Sequence, residues 1–199
     1  MTDLVEMGRT RIFDEDAALA KAMRLFWRQG YANTSIKQLL AEMDMLNGSF
    51  YHTFKDKKTI YAKALEYYNK QYTDKRLAAL AAHDDFSVGI RALFAEIFTT
   101  LESKSEPNGC LVVNSLVAEI LSEEELKTSL YSDINLFLQL IAERIQLSID
   151  LNHTSTNLPA MQLARILATY IQGLFRLSGI LEIKQLKNQT EDFLHALNL

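Results

Sequence analysis

The sequence predicts an all-α fold. Three observations carry that expectation. The 199 residues include only 7 Gly and 2 Pro, while Leu, Ala, Glu, Lys and Gln are plentiful. Apolar residues also recur at three- and four-residue spacing along most of the chain, which is the period of a helix buried on one face. With 48% hydrophobic residues the chain can bury a sizeable core, as one domain or two small ones.

The elements follow in order. Asp14 is placed to cap a first helix that runs to Gln29, with Ala18, Leu19, Ala22, Leu25 and Phe26 on one face and Gly30 as the stop. Its acids come first and Arg24 and Arg28 come last, the order that suits the helix dipole. Thr34 is positioned to cap a second short helix carrying Ile36, Leu39, Leu40 and Met43, and a turn around Asp44 leads into a third segment, LNGSFYHTF. Asp56 then starts a long helix through Ile60, Ala64, Tyr67 and Tyr68 to Leu77 and Leu80, ending near His83, Asp84 and Asp85. Further helices are expected over about 86–103, 108–120, 123–151, 158–182 and 187–197, making about nine in all. Breaks fall at 107–109, at Ser122 with Glu125 in capping-box spacing, and at 152–159. The expected division is a three-helix unit over 1–58 and a larger helical domain over 59–199.

Composition excludes several classes of function. The single Cys110 allows no internal disulfide and no metal-binding Cys cluster, and His52, His83, His153 and His195 are scattered outside any metal or nucleophile motif. His83-Asp84-Asp85 reads as a polar helix end rather than a cation site. No catalytic residue, metal or cofactor is expected, and the chain is not read as an enzyme. No apolar stretch approaches the roughly 18 residues needed to cross a bilayer, and the start MTDLVEMGRTR lacks the apolar core of a secretory signal. A cytoplasmic location without a membrane partner is expected.

Net charge is −4, but it is unevenly spread: residues 1–60 carry 9 Lys/Arg against 8 Asp/Glu, and the rest 12 against 17. The early acids include Asp3, Glu6, Asp14, Glu15 and Asp16, which leaves Lys37, Lys55, Lys57 and Lys58 in a locally basic stretch. If nucleic acid is a partner, the basic side is near residues 37–58.

Three short helices within about 45 residues suit a helix-turn-helix unit. Its recognition helix must present small or polar side chains to DNA and keep its other face apolar. Gly48 and Ser49 permit close approach to a groove, while Phe50 and Phe54, four apart, anchor the opposite face. Asn47 and Ser49 are suited to hydrogen-bond bases or phosphates, and Tyr51 and His52 offer polar tips to phosphates. Lys57, near the start of the fourth helix, is placed for a phosphate where backbone N–H groups also point, and Thr34 and Lys37 for the neighbouring backbone.

The segment from Phe26 to Tyr61, FWRQGYANTSIKQLLAEMDMLNGSFYHTFKDKKTIY, resembles the DNA-binding signature of TetR-family regulators. The matching features are the aromatic and Gly30 ending helix 1, Thr34-Ser35-Ile36 opening helix 2, Gly48-Ser49-Phe50-Tyr51-His52 in helix 3, and Phe54 followed by Lys57. Two places depart from the pattern. Asp44 stands where the turn usually carries Gly, and Leu46 and Asn47 stand where a Ser or Thr and a basic residue usually open helix 3. The second departure removes a cap and a phosphate-binding cation.

Beyond residue 61 the resemblance implies a sensor and dimerisation domain. Asn108 to Ser115 resembles a Gly-Cys-Leu-x-x-Asn segment of one branch of the family, some members of which answer electrophiles or oxidants through this cysteine. Read from its neighbours alone, Cys110 is a small buried hydrophobe, and both readings stay open. An effector pocket is expected between the helices of about 60–150, with Tyr68, Phe94, Phe98, Cys110, Asn114 and Tyr131 as candidate lining.

Leu163, Ile166, Leu167, Tyr170, Ile171, Leu174 and Phe175 form a wide apolar stripe where the family builds its four-helix dimer interface. The same stripe could pack wholly within its own subunit. One recognition helix reads few base pairs, so the resemblance implies a homodimer on a palindromic double-stranded DNA operator with half-sites about 34–36 Å apart.

The function expected is a ligand-responsive transcriptional regulator, a repressor released from its operator by an unknown small-molecule effector or by thiol modification. The alternative is a helical small-molecule-binding or adaptor protein with weakened DNA binding, suggested by Leu46, Asn47 and the net acidity. Salt-sensitive, sequence-specific DNA binding separates the two.

Overall fold

The computed structural model describes residues 14–199, so Asp3 and Glu6 lie outside the described residues. Among the described residues every regular element is helical. In order these are α1 (Glu15–Gln29), α2 (Ile36–Met43), α3 (Asn47–Phe54), α4 (Lys57–Tyr68), a π turn (Asn69–Thr73) and α5 (Asp74–Ala81). Then come α6 (Phe86–Glu102), α7 (Leu111–Asn114), α8 (Ala118–Leu121), α9 (Glu124–Asp150), α10 (Ala160–Leu177) and α11 (Ile183–Ala196).

Local chemistry sets most of the boundaries. Asp14 accepts the Ala17 N–H at 3.0 Å and caps α1, which Gly30 ends at φ +80°. α2 is capped by Ser35 rather than Thr34: Ser35 Oγ accepts the Gln38 N–H at 3.2 Å, and Gln38 Oε1 accepts the Ser35 N–H at 2.8 Å. Thr34 instead turns inward, where its hydroxyl donates to the Gly30 carbonyl at 2.7 Å. Asp56 caps α4 by accepting the Thr59 N–H at 2.7 Å.

Elsewhere the elements are more finely divided than expected. The long helix from 57 to 81 is continuous but contains the π turn. The single helix expected over 108–120 is two short pieces, because Leu116 and Val117 fold back on 113–115 and break the ladder. Ser122 does not cap α9; its hydroxyl donates to the Glu119 carbonyl at 2.7 Å. α10 stops at Leu177, before the expected 182, and α11 starts at Ile183, where Gln185 Oε1 accepts the Glu182 N–H at 3.3 Å.

The core is continuous from end to end. α1 lies against α2 and α4, and Phe26, Trp27, Tyr61 and Tyr68 are fully buried between α1 and α4. Their rings meet edge to face, Phe26 with Tyr61 at 4.8 Å and Trp27 with Tyr68 at 5.0 Å, geometry that adds about 0.5–1.5 kcal/mol per pair to simple burial. α5 and α6 cross at Gly89, where a Cβ would sit 2.6 Å from the Leu80 carbonyl oxygen.

α10 runs along α9. Leu163, Leu167, Ile171, Leu174 and Phe175, expected at a subunit interface, are buried inside this chain together with Ile141 and Ile145 of α9. A 27-residue α9 supplies enough apolar surface to occupy the stripe. Ile166 remains 38% exposed, and Tyr170 is half-buried, stacked on Phe193 of α11 at 3.8 Å.

Candidate functional site

The turn between α2 and α3 is closed by Asp44 in the left-handed conformation (φ 55°, ψ 47°), which Asp tolerates better than most residues. α3 then begins at Asn47, and Leu46 at its N-cap position supplies no side-chain cap and is 79% exposed. Phe50 and Phe54 are fully buried beneath α3. Those two anchors fix which face looks outward: Asn47, Gly48, Ser49, Tyr51 and His52 are all exposed, as is Lys37 on α2. A Cβ on Gly48 would meet nothing within 4 Å, so its bare backbone faces open space.

The remaining two candidates sit differently. Thr34 is buried behind this surface, where it ties the α1–α2 turn together and accepts a bond from Gln29 Nε2 at 3.2 Å. Lys57 is half-buried with its ammonium 4.2 Å above the Tyr31 ring, and burial lowers its pKa. Burial raises the pKa of Tyr31, with Glu123 adding to the shift. Tyr31 was not anticipated as a partner, since nothing in its spacing relates it to residue 57. Lys58 is engaged elsewhere, pairing with Glu125 of α9 at 2.7 Å, and that hydrogen bond raises its pKa.

A second feature lies in the larger helical part. A cavity of about 90 Å³ is lined by the π turn, α5, α6, α9, α10 and the segment around α7. Leu93, Ile97, Phe137 and Ile171 give it apolar walls, and Asn69, Arg76, Asp133 and Gln172 give it polar points.

Of the six residues expected to line an effector pocket, Cys110 alone does so. Tyr68 stands behind it and donates from its hydroxyl to Cys110 Sγ at 3.2 Å. Phe94 packs edge-on against Tyr170, Phe98 lies under Lys187, and Asn114 sits beside Gly109. Tyr131 is 71% exposed on the outside of α9. Aromatic rings at helical spacing went to the core, where their area is best buried. Arg76, Asp133 and Gln172 were missed because charged and amide side chains at helical spacing read as solvated surface, and Phe137 because an aromatic at helical spacing reads as core.

The two features are joined through α4. Tyr61, on the face of α4 that packs against α1, hydrogen-bonds Ser115 at the end of α7, and Ser115 Oγ donates to the Leu111 carbonyl at 2.7 Å. Burial pushes the Tyr61 pKa up to about 12. Seven residues further along the same helix, Tyr68 touches Cys110 at the cavity wall.

A helix-turn-helix with a solvent-facing third helix, carried on a larger helical body with a cavity between its helices, defines a two-part helical architecture. Residues 18–64 match the family model described as bacterial regulatory proteins, tetR family. The chain is 33% identical over 109 residues to the HTH-type transcriptional repressor ComR of Escherichia coli (strain K12), a match covering 54% of this chain and 52% of that protein. It is 28% identical over 120 residues to the HTH-type transcriptional regulator YezE of Bacillus subtilis (strain 168), covering 60% and 62%. These matched segments therefore span between half and two thirds of the curated relatives' length.

Among solved structures, a cysteine mutant of the TetR-family transcriptional regulator CifR, complexed with 26-bp double-strand operator DNA, superposes with a TM-score of 0.86 at 28% identity. That match covers 94% of this chain and 99% of CifR. Residues 18–64 thus match the tetR-family model, and nearly the whole chain shares the fold of a TetR-family regulator.

Proposed function

We infer that this chain is a ligand-responsive, DNA-binding transcriptional regulator that acts as a homodimer. The observation that carries the reading is one surface: Lys37, Asn47, Gly48, Ser49, Tyr51 and His52 face solvent from α2 and α3, and the fully buried Phe50 and Phe54 hold them there. The similarity to CifR, whose structure was solved on operator DNA, supports it.

In this reading the DNA-binding unit is 1–58 and the effector-binding and dimerisation domain is 59–199. Asn47 and Ser49 contact base edges across the close approach that Gly48 permits. Lys37, Tyr51, His52 and Lys57 contact phosphates, and Thr34 supports the turn from behind. Leu46 replaces the missing polar cap with an apolar contact suited to a thymine methyl.

The remaining outward residues of α10, including Ile166 and Tyr170, together with α11, meet a second copy so that two recognition helices address a palindrome. Occupation of the cavity, or modification of Cys110, shifts the dimer to a spacing that no longer fits the two half-sites, and repression is relieved. The protein works in the cytoplasm and carries out no catalysis. No helix among the described residues is long and apolar enough to cross a membrane.

Selection from a random DNA pool with the purified protein tests the reading. Enrichment of a palindrome is expected, bound with a steep salt dependence. Lys37→Ala should weaken all sequences alike and reduce the salt slope by about 1, whereas Ser49→Ala should change which sequence is preferred. If no sequence is enriched even at low salt, the regulator reading fails.

A further inference from the structure

Among the described residues, Arg76 is a buried cation without a counter-ion. It is 5% exposed, and it takes part in no ion pair among the described residues. Nη1 donates to the Tyr68 hydroxyl at 3.2 Å, but Nε and Nη2 are buried with no hydrogen-bond partner. An arginine does not shed its proton to escape such a site, and a buried charge is ordinarily paired.

Arg76 lines the cavity described above, and its Cζ lies 5.1 Å from the ring of Phe175, which is another wall of that cavity. The guanidinium is therefore held from behind by Tyr68, with the Cys110 thiol beside it, and from one face by Phe175. Its two free donors belong to one edge of the fork, the edge whose parallel N–H bonds match the two oxygens of a carboxylate.

The rest of the cavity says what else the occupant must be. Its walls are apolar, from Leu93, Ile97 and Phe137, so the body of the ligand is apolar. At about 90 Å³, on a scale where one water takes about 10–15 Å³, the space suits a single ring rather than a long chain. Asp133 also lines it, half-buried, with Asn69 Nδ2 donating to its carboxylate at 2.8 Å. Its negative charge works against a second anionic group on the ligand.

We propose that this cavity binds a small aromatic monocarboxylate, with the Nε–Nη2 edge of Arg76 bidentate on the carboxylate and the ring between Leu93, Ile97 and Phe137. The role of that molecule as the effector rests on the regulator reading above; its binding does not.

The test uses the full-length protein without DNA, and the probes are benzoate, its neutral isostere benzamide, and the dianion phthalate. Benzoate is expected to raise the melting temperature and to saturate at one molecule per chain by calorimetry, with benzamide and phthalate at least tenfold weaker. Arg76→Gln should reduce benzoate affinity at least tenfold and leave Tyr68 and Phe175 in place; Arg76→Lys, which keeps the charge but not the fork, should fall between. Benzamide binding as tightly as benzoate, no binding of benzoate at all, or unchanged affinity in a folded Arg76→Gln protein would each overturn the proposal. The benzoate and benzamide comparison needs no variant and decides the matter if Arg76→Gln fails to fold. Benzoate binding in a protein that selects no DNA sequence would keep the site and remove only its effector role, whereas a selected operator with no benzoate binding would remove the site alone.

Discussion

At the scale of single residues, two positions separate fold from function. Gly48 lies within α3 with empty space where a side chain would be. Gly48→Ala should therefore fold normally and gain up to about 1 kcal/mol from helix propensity. On the proposed reading its operator affinity should nonetheless drop, because the added methyl would hold the backbone off the groove; melting curves beside gel-shift titrations would show the two effects moving in opposite directions. The Tyr61–Ser115 contact is asymmetric in a different way. Ser115 Oγ donates to Leu111, so the Tyr61 hydroxyl must donate to Ser115. Ser115→Ala leaves a buried phenol donor unmatched and should cost about 1–3 kcal/mol in denaturant unfolding, whereas Tyr61→Phe removes the donor itself and should cost less. Adding Tyr61→Phe to Ser115→Ala should then recover part of the loss.

At the scale of elements, the cap of α4 is titratable. Accepting the Thr59 N–H holds the Asp56 carboxyl below the ordinary aspartate range. A lowered acid contributes stability above its unfolded pKa and loses it as pH falls through the lowered value. Asp56→Asn keeps the cap without the charge, so its stability should vary less than that of the parent across acidic pH, measured by urea unfolding; Asp56→Ala should lose about 0.5–2 kcal/mol at neutral pH.

Elements were legible in the sequence wherever a local signal fixed them. Asp14 and Gly30 bound α1 as expected, Asp56 opens α4, and the Phe50–Phe54 spacing set the inward face of α3. What was not legible depended on partners distant in the chain. Nothing local in Asn69–Thr73 announces a π turn, a feature that often marks functional sites. Arg76 carries a charge, which hides its burial. The apolar stripe of α10 fits a partner subunit or α9 equally well by periodicity, and only the length and position of α9 decide how much of it stays within the chain.

At the scale of the whole molecule, buried phenols make the fold sensitive to alkali. Burial pushes Tyr61 and Tyr72 up to about 12, and Tyr68 well above its ordinary value. A phenol whose folded pKa is raised stabilises the fold fully below its unfolded pKa of about 10 and loses that contribution as pH rises towards about 12. Unfolding free energy should decline from about pH 10 upward, and the decline should be shallower in Tyr61→Phe. An equally steep decline in that variant would place the alkaline sensitivity elsewhere.

The crossing at Gly89 has a consequence for the cavity that its location does not suggest. The backbone of α6 approaches the Leu80 carbonyl so closely there that even one carbon cannot be inserted. Leu93 and Ile97, one and two turns further along α6, are walls of the cavity, and Arg76, one turn before Leu80, is its cation. The gap between wall and cation is thus gauged by an atom that is missing outside the cavity. Gly89→Ala would act as a shim, widening the chamber from a distance, and on the proposed reading the preference for benzoate over larger carboxylates, measured by calorimetry, would change without any residue that lines the chamber having been altered.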